Sequence, residues 1–253
     1  MTDRRRGARA TTIVFVGPTL PAGEVRARLP GAEVRPPAGV GDVLRASRER
    51  VARIAIIDGY FERMAAVWHK EILIALERGI AVWGAASMGA LRAAELDAFG
   101  MIGVGAIYRG FKTGALVCDD EVAVAHLPGE VGYVQVSDAL VNLRDGLARA
   151  AKAGVITART RDALLELARR PFYRERSWAR LVGDGRAAGL PGRQLAALEA
   201  WPKPDRKAAD ARLLLARLAR EAPAHRKRDR RAPKPIVVPR TWALRQLERL
   251  VLG

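Results

Sequence analysis

Cysteine is nearly missing from this chain. Cys118 is the only one among 253 residues, which excludes an internal disulfide framework and any four-cysteine metal site and matches a reducing, cytoplasmic setting. Its ordinary role would be packing, and a nucleophilic one stays open. Long apolar runs are missing too. The uncharged apolar stretch at residues 79–91 is too short to cross a bilayer and is broken by Gly79, Gly84 and Gly89. Near the N-terminus, the apolar residues 13–16 follow Arg4, Arg5 and Arg6 but stop at Gly17-Pro18, short of a signal sequence, so residues 1–11 read as a disordered basic leader. Nucleotide signatures are also lacking. Gly17-Pro18-Thr19-Leu20 has no phosphate-loop lysine, and nothing matches the dinucleotide fingerprint. No compact spacing of His, Cys and carboxylates marks a metal site. No cofactor and no metal are therefore expected.

What is abundant is basic charge, and it is unevenly placed. Of the net +17, residues 1–143 carry +1 and residues 144–253 carry +16. Such a split marks a change of domain character. Arginine and alanine dominate the basic half, which reads as a surface for an acidic partner more readily than as a nucleic-acid site.

Strand and helix patterns alternate through the first half. Strands are expected at residues 11–16, 32–35, 51–58 and 80–83, with helices at 22–29, 41–50, 64–78 and 90–96. The run at 51–58 is apolar apart from Arg53 and the closing Asp58, as in a parallel sheet covered on both faces. The glycine-rich residues 99–110 are left without assignment. If residues 118–125 form a strand, Asp119 and Glu121 share a face and Asp120 opposes them; a solvated turn is the other reading of that charge run. A further strand is expected at 133–136, and Ser137-Asp138 reads as the cap of a helix to 153. Helices follow at 158–170 and 208–221, separated by an irregular stretch that docks by Trp178 and Trp201. A basic, partly flexible tail ends in a short helix at 241–252. The fold class is α/β, a mainly parallel doubly wound sheet flanked by helices, followed by a helical C-terminal part. The boundaries expected are 1–11 (leader), 12–143 (α/β core), 144–222 (helical part) and 223–253 (tail).

The chemistry concentrates at residues 79–96. Ser87 stands between a strand and a helix, flanked by small residues, as the nucleophile does in the strand-turn-helix elbow of serine hydrolases. Ala85 stands where that pattern has glycine, and Gly89 fits it. The plain alternative is a serine that caps the helix. Arg92 and Glu95, three apart on an otherwise apolar helix, read either as a structural ion pair or as the lining of a polar cavity. In a doubly wound sheet ligands bind beyond the carboxyl ends of the strands, which brings Thr19, Asp58 and Ser87 to one edge. His69, expected in the first two turns of the preceding helix, is the candidate base, or else a histidine that only hydrogen-bonds near a helix start. His126 and His225 are weaker candidates. Asp58 is the candidate to orient His69, since Glu71 lies two residues away on the wrong face. The N–H groups of Met88 and Gly89 are candidates for an oxyanion site. Asp119 and Glu121 are expected to reach Arg92 and Lys70 or to position His69.

The segments Phe15-Val16-Gly17-Pro18-Thr19, Asp58-Gly59-Tyr60-Phe61, His69-Lys70-Glu71-Ile72, Gly84 to Leu96, Gly100-Met101, Gly103-Val104-Gly105 and Asp119-Asp120-Glu121-Val122-Ala123-Val124, taken in this order, resemble a TfuA-like protein, the companion of YcaO enzymes. The resemblance covers about residues 13–142. It implies a part in YcaO-dependent backbone thioamidation of a peptide natural product or a protein. It also implies sulfur supply from a thiocarboxylated, ThiS-like carrier. Thr19, Lys70, Glu71, Arg92, Glu95, Asp119, Asp120 and Glu121 are the candidates for binding the substrate. A non-catalytic adaptor that docks carrier or peptide on the YcaO enzyme, and a hydrolase of an unrelated amide or ester, are the alternatives.

Overall fold

The structure, a computed structural model, describes residues 11–61, 64–221 and 237–253. The leader expected at 1–11, apart from Thr11, and the basic run of the tail lie outside those residues.

Five short strands, β1 (Thr11–Phe15), β2 (Ala32–Arg35), β3 (Val51–Ile56), β4 (Ala81–Ala85) and β5 (Ile102–Val104), form one sheet in the order β2-β1-β3-β4-β5, every neighbouring pair parallel. Between and after them run α1 (Ala22–Arg28), α2 (Asp42–Ser47), α3 (His69–Glu77), α4 (Met88–Leu96) and α5 (Gly105–Lys112). The alternation of side chains along each strand builds two cores. Ile13, Phe15, Ile54, Ile56 and Val82 pack with Val43, Ile72 and Ala93 of α2, α3 and α4 on one face. Val14, Val16, Ala55, Ile57 and Trp83 pack on the other. Both faces are covered, and β3 is buried along its whole length; its one charged residue, Arg53, donates to the Thr12 hydroxyl and to the Leu218 and Glu221 carbonyls.

The remaining helices are α6 (Leu140–Lys152), α7 (Ala158–Arg169), α8 (Trp178–Ala187), α9 (Gly192–Ala200), α10 (Arg206–Arg220) and α11 (Trp242–Leu252). Helices α6 to α9 share a core of their own, with the Trp178 and Trp201 rings against it. Helix α10 does not stay with them. Its stripe of Ala208, Ala211, Leu214, Leu215 and Leu218 covers the second face of the sheet, so the α/β layer is closed by a helix far along the chain. Asp205 caps α10 by accepting from the Ala208 N–H, and Thr157 caps α7 in the same way. Helix α11 lays Leu244 and Leu247 over Leu44 and Ile74.

Several elements differ from the sequence reading. Helix α3 starts at His69, not near residue 64, because the Glu71 carboxylate accepts the Trp68 N–H at 2.7 Å and fixes the first turn there. The acidic run is a 3-10 turn over Asp119–Glu121, not a strand. Residues 133–136 form no strand; Gln135 makes a single antiparallel bridge to His126. Ser137 and Asp138 do not cap α6, whose N-cap is Ala139. The Asp138 carboxylate instead accepts the Trp178 N–H at 3.0 Å, at the start of α8. The stretch left irregular between α7 and α10 holds α8 and α9, and the unassigned glycine-rich segment holds β5 and α5.

Candidate functional site

The strand order reverses beside β1, and the ends of β1 and β3 therefore open a crevice there. A cleft of about 420 Å³ occupies it, lined among others by Asp58, Tyr60, Ser87, Met88, His126 and Tyr133.

Ser87 reaches the cleft through a strained turn. Its N–H bonds to the Ala85 carbonyl at 2.8 Å across Ala86, which holds φ at +66°, a left-handed conformation uncommon for a residue with a side chain. The turn needs two close approaches. A Cβ on Gly84 would lie 2.0 Å from the Gly89 carbonyl oxygen, and one on Gly89 would lie 1.7 Å from that of Ile56. Ser87 occupies the N-cap position of α4, yet its side chain makes no cap bond. The hydroxyl lies 3.4 Å from the Val122 carbonyl oxygen and borders the cleft. Of the two expected oxyanion donors, the Gly89 N–H points to the Ile57 carbonyl at 3.4 Å, whereas the Met88 N–H makes no bond of this kind among the described residues.

Asp58 is 1 % exposed and fully engaged. One oxygen accepts the Gly17 N–H at 2.9 Å and the Thr19 N–H at 3.0 Å; the other accepts the Thr19 hydroxyl at 2.6 Å. Thr19 and Asp58 thus meet at the expected edge, but as a clasp between the β1 and β3 loops. His69 has no part in it.

His69 lies elsewhere, at the first residue of α3. Its Nε2 meets Glu95 Oε2 at 2.8 Å and lies 3.4 Å from Arg92 Nη1, while Arg92 also holds Glu95 at 2.6 Å and donates to the Val67 carbonyl at 3.0 Å. His69 and Glu95 are exposed and Arg92 is half-buried; along α4, Arg92 and Glu95 stand about 8 and 12 Å from Ser87 at the rise of an α-helix, and none of the three lines the cleft. Lys70 donates to Thr241 at 2.7 Å. Glu71 is wholly buried and accepts the N–H groups of Gly41, Val43, Leu44 and Trp68, so it ties the start of α2 to that of α3. Burial raises its carboxyl above the ordinary range, against the pull of those bonds.

The acidic turn splits three ways, as consecutive residues of a 3-10 turn must. Asp119 is exposed at the cleft. Asp120 pairs with Arg176 at 2.6 Å, and buried Glu121 pairs with Arg144. None of them meets Arg92, Lys70 or His69.

His126, a weaker candidate from the sequence, lines the cleft with Tyr133, which sequence reasoning passed over, as it did Gln135 and Lys207. The His126 ring lies edge-on to Tyr133 with centroids 5.6 Å apart. Burial and a hydrogen bond with Tyr60 push the Tyr133 hydroxyl up to about 12, so it stays protonated at neutral pH. Gln135 donates to the Pro18 carbonyl at 2.7 Å and ties this flap to the β1 loop. Behind Ser87 lies Lys207, 0 % exposed, whose Nζ donates at 2.8 Å to the same Val122 carbonyl that Ser87 faces. Its signal was present in the sequence: Lys207 falls on the buried stripe of α10 that continues at Ala211, Leu214 and Leu218.

The family model described as TfuA-like protein matches residues 58–177. No curated protein matches the chain. The matched segment carries Asp58, Ser87, the acidic turn and the flap, whereas Thr19 and Lys207 come from outside it. No helix among the described residues is long and apolar enough to cross a membrane.

Proposed function

Since this chain is TfuA-like over residues 58–177, we propose that it serves YcaO-dependent backbone thioamidation of a peptide or protein by freeing sulfide from a thiocarboxylated, ThiS-like carrier, with Ser87 as acyl acceptor. The carrying observation is the Ser87 hydroxyl, which stands at a strained strand-to-helix turn and borders the cleft without capping α4. The acyl group of the carrier passes from sulfur to Ser87 Oγ as hydrosulfide departs, and water then returns Ser87 and leaves a carboxylate. The N-terminus of α4, with the Met88 N–H, supplies positive potential where the oxyanion forms. Strain at Ala86 is what a turn built to present the next side chain costs.

The His69, Arg92 and Glu95 cluster, with Lys70 beside it, favours a second part: contact with the YcaO partner or the carrier. If that docking were the whole function, the protein would be an adaptor. Sulfide release from a thiocarboxylated carrier, followed with the YcaO enzyme present and absent, separates the two. Ser87→Ala is expected to lose about three orders of magnitude or more, as activated nucleophiles do. Because the hydroxyl makes no cap bond, the same variant is expected to lose less than the ~1 kcal/mol of stability that a lost cap costs. Unchanged release by the folded variant would leave the adaptor.

A further inference from the structure

We propose that Lys207 is the general base that takes the proton from Ser87, an assignment that rests on Ser87 being the acyl acceptor. His69 faces Glu95 and Arg92; the His126 Nδ1–H donates to the Leu127 carbonyl at 2.8 Å and its ring packs edge-on to Tyr133, with no hydrogen bond to Ser87; and Asp58 already accepts from Gly17 and twice from Thr19. The Lys207 amine and the Ser87 hydroxyl instead converge on one atom, the Val122 carbonyl oxygen, at 2.8 and 3.4 Å. An ammonium has three donors and no acceptor. With the Val122 carbonyl as its acceptor, a charged Lys207 is under-bonded in a fully buried place. A neutral amine donates one N–H to Val122 and keeps a lone pair for the serine proton.

The surroundings agree with a neutral amine. Lys207 is the second residue of α10, where the N-terminal amides of a long helix disfavour a cation, and Asn142 accepts its backbone N–H at 3.2 Å. Burial lowers its basicity below that of an ordinary lysine, while Asp58 and Asp205 pull the other way. Of the other charges around it, Asp145 pairs with Arg206, Asp210 accepts the Ile107 N–H, and Glu121 pairs with Arg144 through one oxygen while its Oε2 is buried without a hydrogen-bond partner among the described residues.

The proton balance closes without any further reagent. Lys207 accepts the Ser87 proton as Oγ bonds to the carrier's acyl carbon, and gives it to the departing sulfur, which leaves as hydrosulfide. It next accepts a proton from the attacking water and returns it to Oγ as the ester bond breaks, leaving the carrier carboxylic acid, which ionises. No electrons are transferred at any step.

A fluorophosphonate, which esterifies activated serines, tests this on the full chain without the carrier. Mass spectrometry is expected to find the label on Ser87, at a rate that rises with pH through one deprotonation below the ordinary lysine range. Lys207→Met, which removes the amine, and Lys207→Arg, which keeps a charge that cannot be shed, are expected to be labelled at least about 100-fold more slowly while folded. Asp205→Asn keeps the cap but removes a charge that favours the ammonium, so its inflection is expected at lower pH. Wild-type labelling rates in both folded Lys207 variants would overturn the base while leaving Ser87 in place. A folded wild type that is never labelled at Ser87 would overturn both assignments. Should the Lys207 variants not fold, the Asp205→Asn inflection decides: a downward shift supports the base, and an unmoved inflection overturns it.

Discussion

Replacing Asp58 tests the clasp on which the site stands. Its carboxylate satisfies the Gly17 N–H, the Thr19 N–H and the Thr19 hydroxyl inside a place that is 1 % exposed, and it is close enough to Lys207 to favour that residue's charged form. Asp58→Ala leaves two buried backbone donors without an acceptor. At about 1–3 kcal/mol each, with the hydroxyl free to turn, the loss comes to about 3–5 kcal/mol. Asp58→Asn differs in kind. Its amide oxygen can accept both N–H groups while its amide nitrogen donates to the Thr19 hydroxyl, so geometry is kept and only charge is lost. If Lys207 is neutral in the fold, Asn costs about 1 kcal/mol; if Lys207 is a fixed cation, removing its counter-charge costs about 3–5 kcal/mol. Urea unfolding at neutral pH, followed by circular dichroism, reads both variants. The account expects a large loss for Ala and a small one for Asn. Equal losses would refute the neutral lysine, and a loss below 1 kcal/mol for Ala would refute the clasp.

Three other outcomes follow from the packing. Glu71→Gln turns an amide nitrogen toward two of the four N–H donors that Glu71 holds, and is expected to cost about 2–4 kcal/mol in chemical unfolding, whereas a ligand-binding Glu71 would cost little. Gly89→Ala places a methyl group 1.7 Å from the Ile56 carbonyl oxygen; a fall in thermal midpoint is expected, and an unchanged midpoint would show that the elbow is looser than described. Removing residues 237–253 strips Val238, Leu244 and Leu247 from Leu44 and Ile74, and the loss expected in a melting curve is about 3 kcal/mol or more, against none if α11 is a free appendage.

Local signals carried much of the fold. β1, β3 and β4 were legible because each is a mostly apolar run between turn residues, β2 from the Pro30-Gly31 turn before it, and α7 and α10 because Thr157 and Asp205 stand at their starts. β5 was hidden by its length and by Gly103, and α8 by Gly183 and Gly185, which read as breakers although Gly185 packs against Leu164 and Leu195. The start of α3 was misplaced because residues 64–68 have helical composition, and only the long-range bonds of Glu71 reveal where the first turn lies.

The site divides along the same line. The elbow at Ser87 and its shared edge with Thr19 and Asp58 follow from the order of elements. What Ser87 faces does not, since Val122 and Lys207 arrive through contacts between distant segments. His69 sat near in sequence order but its ring turned to Glu95.

The central claim is that Ser87 carries the acyl group. Mixing the wild-type protein with a thiocarboxylated carrier, quenching within the first turnover and weighing the intact protein addresses it directly. The account predicts a mass increase equal to the carrier's acyl group, mapped to Ser87, formed together with a stoichiometric burst of sulfide and absent from Ser87→Ala. Sulfide released at the wild-type rate by folded Ser87→Ala, with no adduct on either protein, would contradict it.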